Sequence, residues 1–457
     1  MVNKELTQEQ TIKSLRYSIL DGIFYALMIG MGDSFLSPFA IFLNASNLEV
    51  ALLASLPMFL GSIFQLFSND FLTLCGSRQK TVCMGVFLQG WIFLPISLVF
   101  FLESHKVAWF IFCVALYRIS GMIIGPVWNS WIGDIVPSNT RGKYFASRSR
   151  IMEFSTFLSL LMAGYILKLF GNEQGSIYKG FLTLFLIAFF CRMMSCLFLA
   201  KKYEPEYQTK EHHRLRFSEF LKKEEYKECR SFVFYLAFMN MAVYLGSPFF
   251  TPYMLNEIKL DYFSFTIINA TAVVAKIFSM PAWGMASDQF GSRRLLTLAG
   301  LLMPMSPILW FFSQQFWYLI FVQIYSGFVW AGFELCSFNV MFEITKSDKR
   351  VECISYYNVI NGLALFLGSV FGAFFINTSE TSLMYLYIFL ISGSVRYMIS
   401  FLYIPKLNSL KTQTNQVPYS KILLRVVTNM PTMGLIHHLI TFKKKHTPSL
   451  LEEKRAS

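Results

Sequence analysis

Long apolar runs alternate with short polar connections along almost the whole chain. A helix needs about 20 mainly apolar residues to cross a bilayer. Segments of that kind fall at 19–43, 48–67, 82–101, 107–132, 150–170 and 178–200. A polar stretch at 201–230 follows, and then six more at 232–255, 263–287, 295–312, 317–342, 356–376 and 383–403. The pattern predicts an all-α integral membrane protein of twelve spans. Residues 1–200 and 231–405 would form two six-helix bundles, 201–230 the linker and 406–457 a basic tail. Within the tail, 422–442 is apolar but interrupted by Arg425, Pro431, His437 and His438. It is expected to lie along the membrane surface rather than cross it.

Charge placement sharpens this topology. Of the 40 Lys and Arg, 32 fall in the termini and the loops on their side, against three (Lys106, Lys179, Lys259) in the opposite loops. By the positive-inside rule both termini are cytoplasmic, and the expected setting is the inner membrane of a bacterial cell. Composition agrees: 54% hydrophobic, 15% charged and 49 Phe exceed what a water-soluble fold can hide. The net charge of +13 is then a topology signal, and no nucleic-acid partner is expected. The linker holds nine Lys or Arg, and its part around 216–227 is expected as an amphipathic helix on anionic lipid headgroups. Eight Cys form no CxxC pair and all six His lie outside the spans, so no cofactor or metal is expected.

The two groups of spans repeat one another. Ser37-Pro38-Phe39 recurs as Ser247-Pro248-Phe249, and Gly76-Ser77-Arg78 as Gly291-Ser292-Arg293. Asp134 and Arg141 after span 4 parallel Glu343 and Arg350 after span 10, and Arg192 with Met194 parallels Arg396 with Met398. Four matches in order, at offsets between 204 and 215, indicate duplicated halves.

The loop after span 8 runs from Gly284 through Asp288 and Gly291 to Arg293 and Arg294. Its GxxxDxxGxRR pattern resembles the signature loop of the major facilitator superfamily, and its place between the second and third spans of a half agrees. The glycines allow a tight turn and close helix contact. Asp288 and the arginines can make charge-assisted bonds to neighbouring helix ends. The resemblance implies a latch on the cytoplasmic gate. The first half keeps only Gly76, Ser77 and Arg78, with Asn69 and Thr73 at the other positions. The DxxPxxxRG run of Asp134, Pro137, Arg141 and Gly142 is similar to another loop of the same family, and gate contacts by Asp134 and Arg141 compete there with a plain helix stop. Gly121, Gly125 and Pro126 read as small-residue packing with a kink.

Ionisable residues inside spans cost roughly 2.5–3.5 kcal/mol on insertion scales and are functional candidates by default. Asp33 on span 1 and Arg118 on span 4 both lie about 20 Å from the cytoplasmic end, counted at about 1.5 Å per residue. Lys276 on span 8 and Glu334 on span 10 are the counterpart in the other half. Protonating Asp33 would break a buried pair and free Arg118, which stays charged, for another anion. The resemblance implies the same: proton-coupled members pair a span-1 acid with a span-4 arginine. The bland alternative is mutual neutralisation. Asn240 and Asn361 are candidates for the cavity wall or for helix–helix bonding. Arg192 and Arg396 are expected to be structural, by snorkelling or capping carbonyls, and Trp128 and Trp131 to sit in the interfacial belt.

The expected function is secondary transport of a small solute by rocking of the two bundles, coupled to protons. The protein is expected to be a lipid-embedded monomer and no enzyme, since neither paired intramembrane acids nor a nucleophile motif is present. A multidrug or metabolite exporter and a non-transporting sensor are the alternatives.

Overall fold

The computed structural model describes residues 7–137, 141–171, 173–205, 217–345, 350–378, 381, 383–408 and 417–428, and among them there are helices and turns but no strand. In the first half, α1 (Gln8–Met31) and α2 (Leu36–Phe42) share span 1, and α3 (Asn47–Phe64) and α4 (Ser68–Cys75) share span 2. Spans 3 to 6 are α5 (Arg78–Leu98), α6 (Lys106–Ile135), α7 (Arg141–Leu169) and α8 (Gln174–Ala200). A short α9 (Phe217–Lys222) precedes α10 (Lys227–Tyr244), and α11 (Phe250–Pro252) completes span 7. Next come α12 (Tyr262–Phe290), α13 (Ser292–Leu302), α14 (Met305–Leu309), α15 (Phe316–Ile344), α16 (Arg350–Ile376), α17 (Leu383–Asn408) and α18 (Tyr419–Thr428).

Among the described residues, eleven stretches are long and apolar enough to cross a membrane. The expected ninth span, 295–312, is not one helix: it breaks at Met303–Pro304 into α13 and α14. Pro304 has no N–H for the Gly300 carbonyl, and the Ser400 hydroxyl of α17 donates to that oxygen instead, at 2.8 Å. The Leu302 carbonyl freed by the break accepts from Tyr325 of α15, also at 2.8 Å. The broken pair still packs along α15 and α17, in the position of a ninth span.

Packing shows the internal repeat directly. In the first half span 1 packs on spans 5 and 6, span 2 on span 4, and span 3 on spans 4 and 6. In the second half span 7 packs on 11 and 12, span 8 on 10, and span 9 on 10 and 12. Every pairing therefore recurs six spans later. The two large contacts between halves, α3 with α16 and α7 with α12, exchange under the same operation, as a twofold axis along the membrane normal requires. Both crossings need glycine: a Cβ on Gly164 would lie 2.6 Å from Thr266 Oγ1, and one on Gly362 2.5 Å from Ser62 Oγ.

At the face opposite the basic loops the halves meet. Tyr385 donates to Asn47 Oδ1 at 2.7 Å, Asn47 to Asn377 at 3.4 Å, and Tyr262 stands edge-on to Phe181 at 5.4 Å. On the basic side Asn358 donates to Gln65 at 3.2 Å.

Two polar segments behave differently from expectation. The helix near 216–227 is shorter, and its Phe220 is fully buried and packs on Tyr356 at 5.4 Å, so protein rather than lipid covers it. In the tail, α18 is amphipathic as expected, but Ile422 and Val426 are fully buried in the core of the second half. An apolar stripe specifies burial, not what buries it. The remainder of 422–442 lies outside the described residues.

Candidate functional site

Span 1 is interrupted at mid-length. Gly32 ends α1, Asp33–Phe35 form one turn of 3-10 helix, and α2 follows. Pro38 cannot donate to the carbonyl of Ser34, and a broken intramembrane helix exposes polar backbone at the level where transported ions and solutes bind in such folds. Asp33 occupies this break. Its Oδ1 lies 2.8 Å from Arg118 Nη2 of α6, and the same nitrogen donates to Oδ2 at 3.0 Å. Asp33 and Arg118 are partly buried, so they form one pair within reach of solvent. Span 7 breaks likewise at Ser247–Phe249.

The second half holds the counterpart. Lys276 of α12 meets Glu334 of α15 at 2.7 Å, and Asn240 of α10 donates to Asn361 of α16 at 2.7 Å. That bond joins two helices of one half.

The loop residues fall into two equivalent clusters. Gly76 and Gly291 both adopt positive φ, +68° and +84°, the conformation that glycine reaches without strain. After each turn an arginine reaches the acid that follows the next-but-one span. Arg78, fully buried, pairs with Asp134 at 2.5 Å, while Arg293 approaches Glu343 at 3.8 Å and Glu228 at 4.0 Å. Each half also returns its exit segment to its own loop. Glu204 accepts from the Arg78 backbone at 2.7 Å and from Ser77 at 2.5 Å, and Arg294 donates to the Val417 carbonyl at 2.9 Å. Gly284 lies within α12. Asp288 is exposed and, among the described residues, makes no ion pair. Arg141 opens α7, but its side chain lies outside the described residues.

A second polar cluster fills the first bundle, and sequence reasoning did not single it out. Asp21 of α1 is buried, accepts from Ser195 at 2.6 Å and faces Arg148 at 3.6 Å. Arg148 also donates to the Ser18 carbonyl at 3.1 Å and stacks over the Trp128 ring at 4.6 Å. Arg192 donates through Nε to Gln89 at 3.1 Å and through Nη1 to Ser195 at 3.1 Å. It neither snorkels nor caps a carbonyl. Arg396 does cap one, donating to Val243 at 3.4 Å and to Ser392 at 2.9 Å. Trp128 and Trp131 leave the interfacial belt as well: Trp131 is fully buried and Trp128 lines a cavity. That cavity, about 330 Å³, is walled by Asp21, Gln89, Arg118, Trp128, Arg148 and Arg192 among others, all from the first half. The signal available was an acid and an arginine, Asp21 and Arg192, in the cytoplasmic halves of spans that a bundle packs together.

Comparison with known proteins places this arrangement. The family model described as Major Facilitator Superfamily matches residues 22–268 and 231–442. The chain belongs to this superfamily. Superfamily members of known structure share the fold. The nucleoside transporter NupG superposes with a TM-score of 0.66 at 10% identity, covering 87% of this chain and 99% of its own. A D-xylose–proton symporter gives 0.66 at 13%, covering 90% and 98%. A bacterial homologue of the human lysosomal transporter Spinster, inward-facing and occupied, gives 0.64 at 14%, covering 89% and 98%. No curated protein matches the sequence. The superfamily assignment makes the chain a multi-pass integral membrane protein with a transporter fold, and at these identities the solved structures speak to the fold alone.

Proposed function

We propose that the protein is a secondary transporter that moves a small solute by alternating access, with proton binding at Asp33 driving the cycle. The observation that carries this reading is the Asp33–Arg118 pair, 2.8 Å apart, at a helix break in mid-span. Arginine keeps its charge at any physiological pH. A proton on Asp33 therefore removes the pair's attraction and leaves a guanidinium seeking another partner. A carboxylate so placed makes proton binding and solute binding depend on one another. Lys276 with Glu334 would serve as the fixed counterpart in the second half. A D-xylose–proton symporter has the same fold, so the fold itself is compatible with proton coupling.

In this reading 1–200 and 231–405 are the moving halves, 201–230 the linker and 406–457 the tail, in the inner membrane of a bacterial cell with both termini cytoplasmic. The loop clusters of Arg78 with Asp134 and of Gly284, Asp288, Gly291, Arg293 and Arg294 form the cytoplasmic gate. Arg141 belongs with them by its place in the sequence.

The test uses purified protein in liposomes and whichever metabolite raises its melting temperature most. Asp33→Asn should abolish uptake driven by a pH gradient while sparing counterflow exchange. Driven uptake at the wild-type rate in Asp33→Asn would sink the coupling role.

A further inference from the structure

The cavity inside the first bundle carries a surplus of positive charge. Its wall presents the guanidiniums of Arg118, Arg148 and Arg192 against the carboxylate of Asp21, and Asp33 offsets Arg118 from outside the wall. One positive charge is left over. Lys202 adds another beside it: the residue is 2% exposed, with its ammonium 4.2 Å from the Trp131 ring centroid and 5.6 Å from that of Trp128. Among the described residues that ammonium has no hydrogen-bond partner. Uncompensated charge away from water is expensive, so two surplus cations around one cavity call for an acceptor.

Donor capacity points the same way. Each guanidinium offers about five N–H donors. Arg118 uses only Nη2, toward Asp33. Arg148 uses Nε and Nη2, toward Ser18 and Asp21. Arg192 is held at all three nitrogens, Nε and Nη2 by Gln89 and Nη1 by Ser195, and lies over the Tyr25 ring at 4.7 Å. Nη1 of Arg118 and of Arg148 has no bond among the described residues. Two guanidiniums with spare planar forks suit a carboxylate or phosphate. The cavity is at the small end of the range for ligand sites, and Tyr25, Tyr117 and Trp128 give it aromatic walls.

We propose that this cavity, walled by the first half alone, binds a small organic anion carrying a carboxylate or phosphate, oriented by Arg148. Arg118 completes the site when its pair with Asp33 opens, so the anion would be the cargo. The inference thus rests on the transporter reading for its role, though not for its chemistry. Its geometry places the anion to one side of the axis between the halves.

The test is equilibrium binding in detergent, read by melting temperature and by quenching of tryptophan fluorescence, since Trp128 is on the wall. The probes are inorganic phosphate, succinate and benzoate at constant ionic strength, with glucose, uridine and choline as neutral and cationic controls. A short-chain phosphatidylglycerol separates a lipid headgroup from a free anion. At least one free anion should bind saturably and better than any control. Arg148→Gln should weaken it by at least about tenfold, as loss of a charge-assisted bond does, and Arg148→Lys should recover part of it. Should Arg148→Gln fail to fold, Arg118→Gln removes the other guanidinium with unbonded donors and should weaken binding in the same direction. Equal binding of glucose or uridine, undiminished binding in the folded variants, or no binding by any anion would overturn the proposal. Preference for the phosphatidylglycerol would replace a cargo site by a lipid site. Binding needs no flux, so an anion that binds but is not moved sinks the transporter reading alone. Driven uptake of a neutral solute, with no anion bound, sinks this inference alone.

Discussion

Replacing Lys202 by methionine should make the protein more stable at neutral pH. The ammonium is buried at the end of span 6, and burial pushes its pKa down to about 8 from an ordinary value of 10.5, with Asp21 pulling the other way. That depression amounts to about 3 kcal/mol against the charged form. Lys202→Met removes this cost while keeping the apolar stem. The pH dependence has a definite sign. Below pH 8 the folded and unfolded forms both hold the proton and the cost is present in full. Between about 8 and 10.5 the folded form releases its proton first, so wild-type stability rises with pH across that window. Thermal unfolding in detergent at pH 7 and pH 9.5, in chloride buffer, gives the wild-type minus variant difference. The variant's advantage should be about 3 kcal/mol at pH 7 and shrink to about 1 kcal/mol at pH 9.5. A variant less stable than wild type at pH 7, or an advantage that ignores pH, would refute the reasoning.

Three further outcomes are expected. Arg78→Gln strips the fully buried cation shared by Asp134, Glu204 and the Pro205 carbonyl, and should cost about 3 kcal/mol. A double-mutant cycle with Glu204→Gln in thermal or urea unfolding should show strong coupling, and additive losses would deny the network. Gly164→Leu puts a side chain where even a Cβ would lie 2.6 Å from Thr266 Oγ1, wedging the halves apart where they touch. In a cysteine-free background, Ala270→Cys should then react faster with an impermeant maleimide applied from the face opposite the basic loops, and unchanged labelling would show that the contact does not hold that face shut. Ile422→Ala should cost about 2–4 kcal/mol in thermal unfolding, the price of an emptied core position, whereas a tail helix resting on lipid would lose almost nothing.

The order of spans, their duplication and the membrane class were legible in the chain because the bilayer imposes them one segment at a time. Each crossing needs its own apolar run, and each loop records its side in Lys and Arg. The pairing of Asp33 with Arg118 and of Lys276 with Glu334 was legible for a related reason: charge at mid-span has few places to go. Residues that meet only through packing were not legible. Asp21 sits near a span end and Arg148 outside the expected span, so neither looked costly alone, and Arg192 looked peripheral. Three helices had to be set side by side before their charges shared a wall. Likewise Pro304 announced a kink, but only Ser400 and Tyr325 on neighbouring helices made a full break tolerable. The amphipathic stripes of α9 and α18 are visible in sequence, and tertiary contacts alone decided that protein would cover them. Hydropathy is a property of one segment against its solvent, so sequence determines which segments enter the membrane. Which side chains face one another depends on helix rotation and crossing, which only the assembled bundle settles.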